Sequence, residues 1–339
     1  MPVRALYYTG PHRAELRSVQ IPTLTEDDRF GSYALVRTDF SGISRGTERL
    51  IFEGQLPESE WERMRCPHQD GGFPFPVKYG YAVVGVVEQG PAQLVGRTVF
   101  ALHPHQERLR IPAADLVPLP ENLPPRRAIL AANMETALNA LWDSGAGAGY
   151  KIIVIGAGVI GSLVAALAVR LPGADVTLID IAPERASIAA ALSVPFSTPE
   201  TAEGGADIVF HSSASEAGLR LALDLAGFEG RVVEMSWFGG KQIALPLGGA
   251  FHSQRLQIIS SQVGNVAPSM RARWPHRRRL ETALQLLCDA RLDALITEEV
   301  GFEDLPHALP RILADDAPGL ATAVRYSNRH VKENAHVCP

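Results

Sequence analysis

Cysteine is nearly absent: Cys66, Cys288 and Cys338 are the only three in 339 residues. An odd, scattered set excludes a disulfide framework and any Cys-x-x-Cys metal knuckle, and it predicts a reducing, cytoplasmic setting. Lysine is scarce as well, four residues against 28 arginines, so a cluster of arginine carries less information here than in most chains. Neither sign of charge dominates. With 32 basic and 37 acidic residues the net charge is −5 and the pI near 6.1, too acidic for a protein that coats nucleic acid by neutralising phosphates. A membrane-length apolar run is missing too: the most apolar stretch, IIVIGAGVIGSLVAALAV, is interrupted by three glycines, and the opening MPVRALYYTG lacks the apolar core of a secretion signal. The expectation is a soluble protein with neither a nucleic-acid nor a membrane partner.

What is present is an ordinary globular composition, 46% hydrophobic and 20% charged, in a chain long enough for two domains. Up to about residue 130, short β-rich runs (ALVRT, YAVVGVVEQ, GRTVFAL) are separated by Gly and Pro, which predicts a compact, irregular β domain. Beyond that the pattern alternates: KIIVI, a Gly-rich turn and apolar helix to Leu171, DVTLI, a helix from Pro183, DIVFH, a helix from Ser215, then RVVEMS. Continuous apolar strands joined by helices predict a doubly wound parallel sheet. The strand LQIISSQVG, the helix RRLETALQLLCDARL and strand-like ITEEVGF and ATAVRY complete the chain.

Gly156, Gly158 and Gly161 form G-x-G-x-x-G between a strand and a helix. Gly156 permits a tight turn, Gly158 admits a pyrophosphate against the backbone, and Gly161 allows close helix packing, while the helix N-terminus offers free N–H groups to the anion. Val159 and Ile160 complete the phosphate loop. Asp180 ends the next strand, 19 residues after Gly161, where a carboxylate accepts from both hydroxyls of an adenosine ribose. The same carboxylate repels a 2′-phosphate, so NAD is expected over NADP. Arg185 is either a second adenosine contact or a solvated residue. Ser212 and Ser236, at the ends of the two following strands, and Thr136 are further expected cofactor contacts. Arg271, in the basic stretch Arg271–Arg279, is a candidate for the pyrophosphate.

These features together resemble the medium-chain dehydrogenase/reductase superfamily over essentially the whole chain. SGISRGTE, residues 41 to 48, is similar to the family's Gly-Ile-Cys-Gly-Thr-Asp segment; KYGYAVVGVVEQG, residues 78 to 90, to its Gly-His-Glu strand; and GAGVIG to its alcohol and polyol dehydrogenases. SGISRGTE together with GYAVVG looks most like the branch containing bacteriochlorophyllide hydroxyethyl dehydrogenase. The resemblance implies an α/β fold: an irregular β-rich, GroES-like catalytic domain over 1–132 and 290–339, and a Rossmann domain over 133–289. It also implies a homodimer in which LQIISSQVG, as an unpaired edge strand, meets its copy across a two-fold axis.

The family's catalytic zinc is held by a Cys, a His and a third ligand. The matching positions here are Ser44, Tyr81 and either Ala132 or Asn133, and neutral hydroxyls, an alanine or an amide are poor ligands for zinc. No zinc is expected, although Cys66, His68, Asp70, His103 and His105 leave a displaced metal as an alternative to plain loop residues. Without a Lewis acid, some group must handle the hydroxyl proton and the oxygen charge. Tyr81 is either that donor or an aromatic filler. Ser44 and Thr47 are candidate relay hydroxyls, Glu48 matches the acid that follows them, and Glu135 is either a cleft base or a helix-start acid. The expected activity is NAD-dependent, zinc-independent interconversion of a small-molecule alcohol and carbonyl. Reduction of an activated double bond, or a nucleotide-binding relative without catalysis, are the alternatives.

Overall fold

A computed structural model describes residues 1–25, 28 and 32–327 of the chain. The described residues fall into two compact units, one of Met1–Gly54, Glu60–Leu119 and the stretch from Glu298 onward, the other of Gln55–Ser59 and Pro120–Thr297.

The first unit is built from short strands because Gly and Pro interrupt its apolar runs. The long strand Tyr33–Ile43 contains ALVRT and lies between Val83–Gln89 and the C-terminal strand Ala321–Arg325, antiparallel to both, with Thr322 opposite Ile43. Thr98–Ala101 continues this sheet beyond Val83–Gln89, and Ile296–Gly301 adds a strand beyond Ala321–Arg325. A second sheet pairs Pro2–Gly10 with Arg13–Gln20 and with Val77–Lys78. One apolar cluster joins residues from both ends of the sequence: Leu6, Tyr8, Ile51 and Phe52 pack with Phe302, Leu305, Leu309 and Val324.

Six parallel strands form the second unit, in the spatial order Phe196–Ser197, Asp175–Ile179, Lys151–Ile155, Ala206–His211, Ala226–Glu234, Gln257–Ser260. By sequence this is the 3-2-1-4-5-6 order of a doubly wound dinucleotide-binding sheet, whose ligand crevice lies at the carboxyl ends where the order reverses. The reversal falls between Lys151–Ile155 and Ala206–His211, with Ile155 opposite His211. Gln257–Ser260 is the edge strand, and its Ile258 and Ile259 are only half-buried.

The units break at Leu119/Pro120 and Thr297/Glu298, not at the 132/133 and 289/290 read from the sequence. Arg127 explains the difference. It is buried on the helix Pro125–Ala128 and forms a two-pronged ion pair with Asp293, at 2.7 and 2.6 Å, which fastens both flanking segments into the second unit. Residues 328–339, expected in the first unit, and Cys338 among them, lie outside the described residues. No helix among the described residues is long and apolar enough to cross a membrane.

Candidate functional site

The glycine turn is built as its spacing requires. Gly156 has φ 101°, a conformation that side chains disfavour. A Cβ on Gly161 would stand 1.9 Å from the Gly156 carbonyl oxygen, so only glycine lets the helix Val159–Ala168 meet the turn. Gly158 is exposed and a Cβ there would meet nothing within 4 Å, which leaves the space beside its backbone open to a phosphate. Val159 and Ile160 begin the helix, half-buried, with first-turn N–H groups that have no intrahelical carbonyl.

Asp180 sits just past the strand Asp175–Ile179, half-buried. Its Oδ2 accepts from Ala157 N at 2.6 Å and its Oδ1 from Ala182 N at 2.9 Å, so the carboxylate is oriented by the turn it follows. Ile181 beside it is 84% exposed, an apolar surface of the kind a nucleobase covers. Ser212 donates to the carbonyls of Ile155 and Gly156 at 3.2 and 3.1 Å, tying the loop after one strand to the glycine turn of its neighbour. Ser236 Oγ accepts from Ala214 N at 3.0 Å. These residues share the carboxyl edge of the sheet and fit a dinucleotide.

Two other expected contacts make local hydrogen bonds. Thr136 donates to Ala132 O one helical turn earlier, at 3.0 Å. Arg271 is exposed, and its Nε donates to Val266 O within its own loop at 3.2 Å. The basic stretch is used locally: Arg277 pairs with Glu281 at 2.7 Å, Arg278 lies 3.9 Å over the Trp274 ring, and Arg279 is buried. Glu135 is the partner of Arg279, 3.0 Å away. Burial pushes the Glu135 carboxyl up and Arg279 opposes that shift, and the same guanidinium holds Asn139 Oδ1 and Val263 O. Through Oε1, Glu135 serves as a buried tie between the helices Ala131–Ser144 and His276–Leu286.

In the first unit three hydroxyls converge. Tyr81 Oη donates to Ser44 Oγ and lies 3.2 Å from Thr47 Oγ1. Burial pushes the Tyr81 phenol up to about 12, so it stays protonated at neutral pH. Ser44 precedes the helix Arg45–Phe52, and Glu48 in its first turn holds it: Glu48 Oε1 accepts from Ser44 N at 2.7 Å. Glu48 is wholly buried, and its Oε2 faces the Tyr8 hydroxyl at 2.6 Å and His105 Nε2 at 3.0 Å. His105 Nδ1 in turn meets Ser41 Oγ at 2.7 Å, and Ser41 meets the Tyr326 hydroxyl at 3.0 Å. Ser44, Thr47, Tyr81 and Glu48 are thus brought together, with Glu48 behind the hydroxyls as their anchor.

Among the described residues no group of three or more His, Cys, Asp or Glu side chains is placed to hold a metal ion. Cys66 is buried, and burial pushes its thiol up to about 12; His68 pairs with Asp115 at 3.1 Å; Asp70 accepts from the Tyr7 hydroxyl. Tyr8, Ser41 and Tyr326, and a second cluster around His211, had no signal in spacing, since each pair joins distant parts of the chain or a strand end to its neighbour.

No family model matches the chain. It is 29% identical over 215 residues to an uncharacterized zinc-type alcohol dehydrogenase-like protein of Haemophilus influenzae, a match covering 59% of this chain and 58% of that protein. Its fold is shared with solved dehydrogenase structures. The L-idonate 5-dehydrogenase of Escherichia coli superposes with a TM-score of 0.78 at 16% identity, over 96% of this chain and 98% of the other. Two further neighbours carry a cofactor: a zinc-binding dehydrogenase-like protein of Sinorhizobium meliloti bound to NADP (TM-score 0.73, 18% identity, 96% and 99% covered), and an Escherichia coli alcohol dehydrogenase complexed with NADH (0.74, 15%, 96% and 99%).

Proposed function

We propose that the chain is a nicotinamide-dependent oxidoreductase that interconverts an alcohol and a carbonyl compound, with NAD preferred and without catalytic zinc. The convergence of Tyr81, Ser44 and Thr47 carries the reading. When bound, NAD supplies the hydride acceptor, or as NADH the donor. Gly156, Gly158, Val159, Ile160 and Gly161 would hold its pyrophosphate and Asp180 its adenosine ribose, where a 2′-phosphate would face like charge.

The oxygen of the substrate would be met by the hydroxyls of Tyr81, Ser44 and Thr47. A phenol held protonated can donate to a carbonyl oxygen as charge develops on it, and take part in returning that proton in the oxidative direction. Ser44 and Thr47 share the proton with Tyr81, and Glu48 fixes Ser44 through its backbone N–H. Zinc does not fit this set: two alcohols and a phenol, already bonded to one another, offer no thiolate, imidazole or carboxylate. Branch kinship with the bacteriochlorophyllide hydroxyethyl dehydrogenase type, a cytoplasmic setting and a two-fold dimer through Gln257–Ser260 belong to the same proposal.

Purified, chelator-treated protein offered NAD or NADH with a panel of alcohols, ketones and conjugated enones tests it. The expected result is alcohol–ketone turnover with under-stoichiometric zinc and tighter binding of NADH than NADPH. Stoichiometric zinc whose removal abolishes activity, or a saturated ketone formed from an enone as the main product, would overturn it.

A further inference from the structure

The second unit carries a polar chain that hydride transfer does not use. His211, at the end of the strand Ala206–His211, is wholly buried. Its Nδ1 lies 2.7 Å from Glu234 Oε2 and its Nε2 2.7 Å from Ser213 Oγ. Glu234 ends the adjacent strand, in register with His211, and its other oxygen accepts from Ser236 N at 2.7 Å.

With Glu234 ionised and the His211 ring neutral, hydrogen-bond accounting assigns the protons. An ionised carboxylate only accepts, so Nδ1 carries the hydrogen that faces Glu234, and a neutral ring leaves Nε2 a bare acceptor. Ser213 must give its hydroxyl proton to Nε2. Ser215 Oγ caps the next helix by accepting from Gly218 N at 3.0 Å, and its own proton goes to Ser213 Oγ, 2.9 Å away. The Ser213 oxygen is left with one lone pair, on an exposed residue.

The surrounding backbone suits this arrangement. Ser213 lies on a sharp strand-to-helix turn whose next residue, Ala214, has φ 52°. A Cβ on Gly218 would stand 2.4 Å from Ser213 Oγ and 2.8 Å from His211 Nε2, so glycine is needed for the two to meet. The helix Glu216–Leu225 begins beside them, and the first-turn N–H groups of Glu216 and Ala217 have no intrahelical carbonyl.

We propose that Ser213 is an activated nucleophile, with His211 as its base and Glu234 as the residue that positions the base, and that it accepts acyl or phosphonyl groups from activated esters and fluorophosphonates. With an aryl ester, Ser213 Oγ bonds to the carbonyl carbon as its proton passes to His211 Nε2. The bond from that carbon to the aryl oxygen breaks, and the aryl oxide leaves with the same proton as a phenol. The protein keeps an acyl ester on Ser213, and no oxidant or reductant is involved. This assignment does not depend on the dehydrogenase reading.

The test is labelling of the full-length protein with a fluorophosphonate probe, with the modified residue located by peptide mass mapping. Ser213 is the expected site, Ser213→Ala abolishes the label, and His211→Gln slows labelling about 100-fold or more. The rate rises with pH, and Glu234→Gln moves the midpoint of that rise, which a merely structural carboxylate would not do. If His211→Gln fails to fold, the pH profile of the unmodified protein decides. An unlabelled Ser213 beside a fully labelled control serine hydrolase, or a Ser213 labelling rate that does not change with pH, would overturn the assignment.

Discussion

Tyr81 is the residue whose two roles are separable by substitution. Tyr81→Phe keeps the ring packed beside Tyr79 but deletes the hydroxyl that reaches Ser44 and Thr47. Turnover should fall about 100-fold or more, with folding and NADH affinity nearly unchanged. Tyr81→Ala should instead cost stability as well, on the order of 3 kcal/mol, because it opens an aromatic-sized cavity. Steady-state kinetics together with urea unfolding of both variants distinguish donor from filler, and a Tyr81→Phe turnover within a few-fold of the parent would leave only packing. His103 gives a pH prediction. Burial pulls its imidazole down to about 3, while its Nδ1 faces Pro104 O at 2.8 Å. The unfolded chain binds that proton below about 6.5 and the folded one does not. Stability should therefore be full above that pH and fall as pH drops toward 3, by up to about 1.4 kcal/mol per pH unit from this group. His103→Gln should flatten that slope in urea titrations run at a series of pH values.

At the scale of elements, the strand–turn–helix around Gly156 makes the cofactor prediction. Gly161→Ala drives a methyl into the Gly156 carbonyl and must lift the helix Val159–Ala168 off its strand, so NADH affinity in a fluorescence titration should fall at least about ten-fold. Asp180→Ala should narrow the gap between NADH and NADPH by removing the repulsion; an NADPH preference in the unmodified protein would contradict the role given to Asp180. These elements were legible because local chemistry sets them: KIIVI, DVTLI and DIVFH are strands, and Ser215 caps its helix as its side chain suggests. What the sequence concealed is pairing at a distance. Glu48 with His105, and Glu135 with Arg279, are joined only by the fold, and nothing in spacing marks an Arg inside a basic run as the buried one. The apolar helix also stops at Ala168, short of the expected Leu171, with turns following before Pro172.

For the whole molecule, the exposed edge Gln257–Ser260 bears on assembly. An unpaired ladder with half-buried Ile258 and Ile259 is a template for a second strand, and a two-fold copy is the closed way to satisfy it. Sedimentation velocity over a dilution series should show a dimer of the 36.6 kDa chain, and a stable dilute monomer would count against it. The course of the chain through the first unit has another consequence. Its central sheet takes Ala321–Arg325 against Tyr33–Ile43, and Phe302, Leu305 and Leu309 fill the same core as Leu6 and Tyr8. On the ribosome, then, the opening residues emerge long before the partners they need, whereas Pro120–Thr297 emerges as one uninterrupted stretch. Nascent chains stalled once that stretch has cleared the exit tunnel should resist protease there and remain digestible near the N-terminus, so emergence of Ala321–Arg325 is the event that closes the first unit.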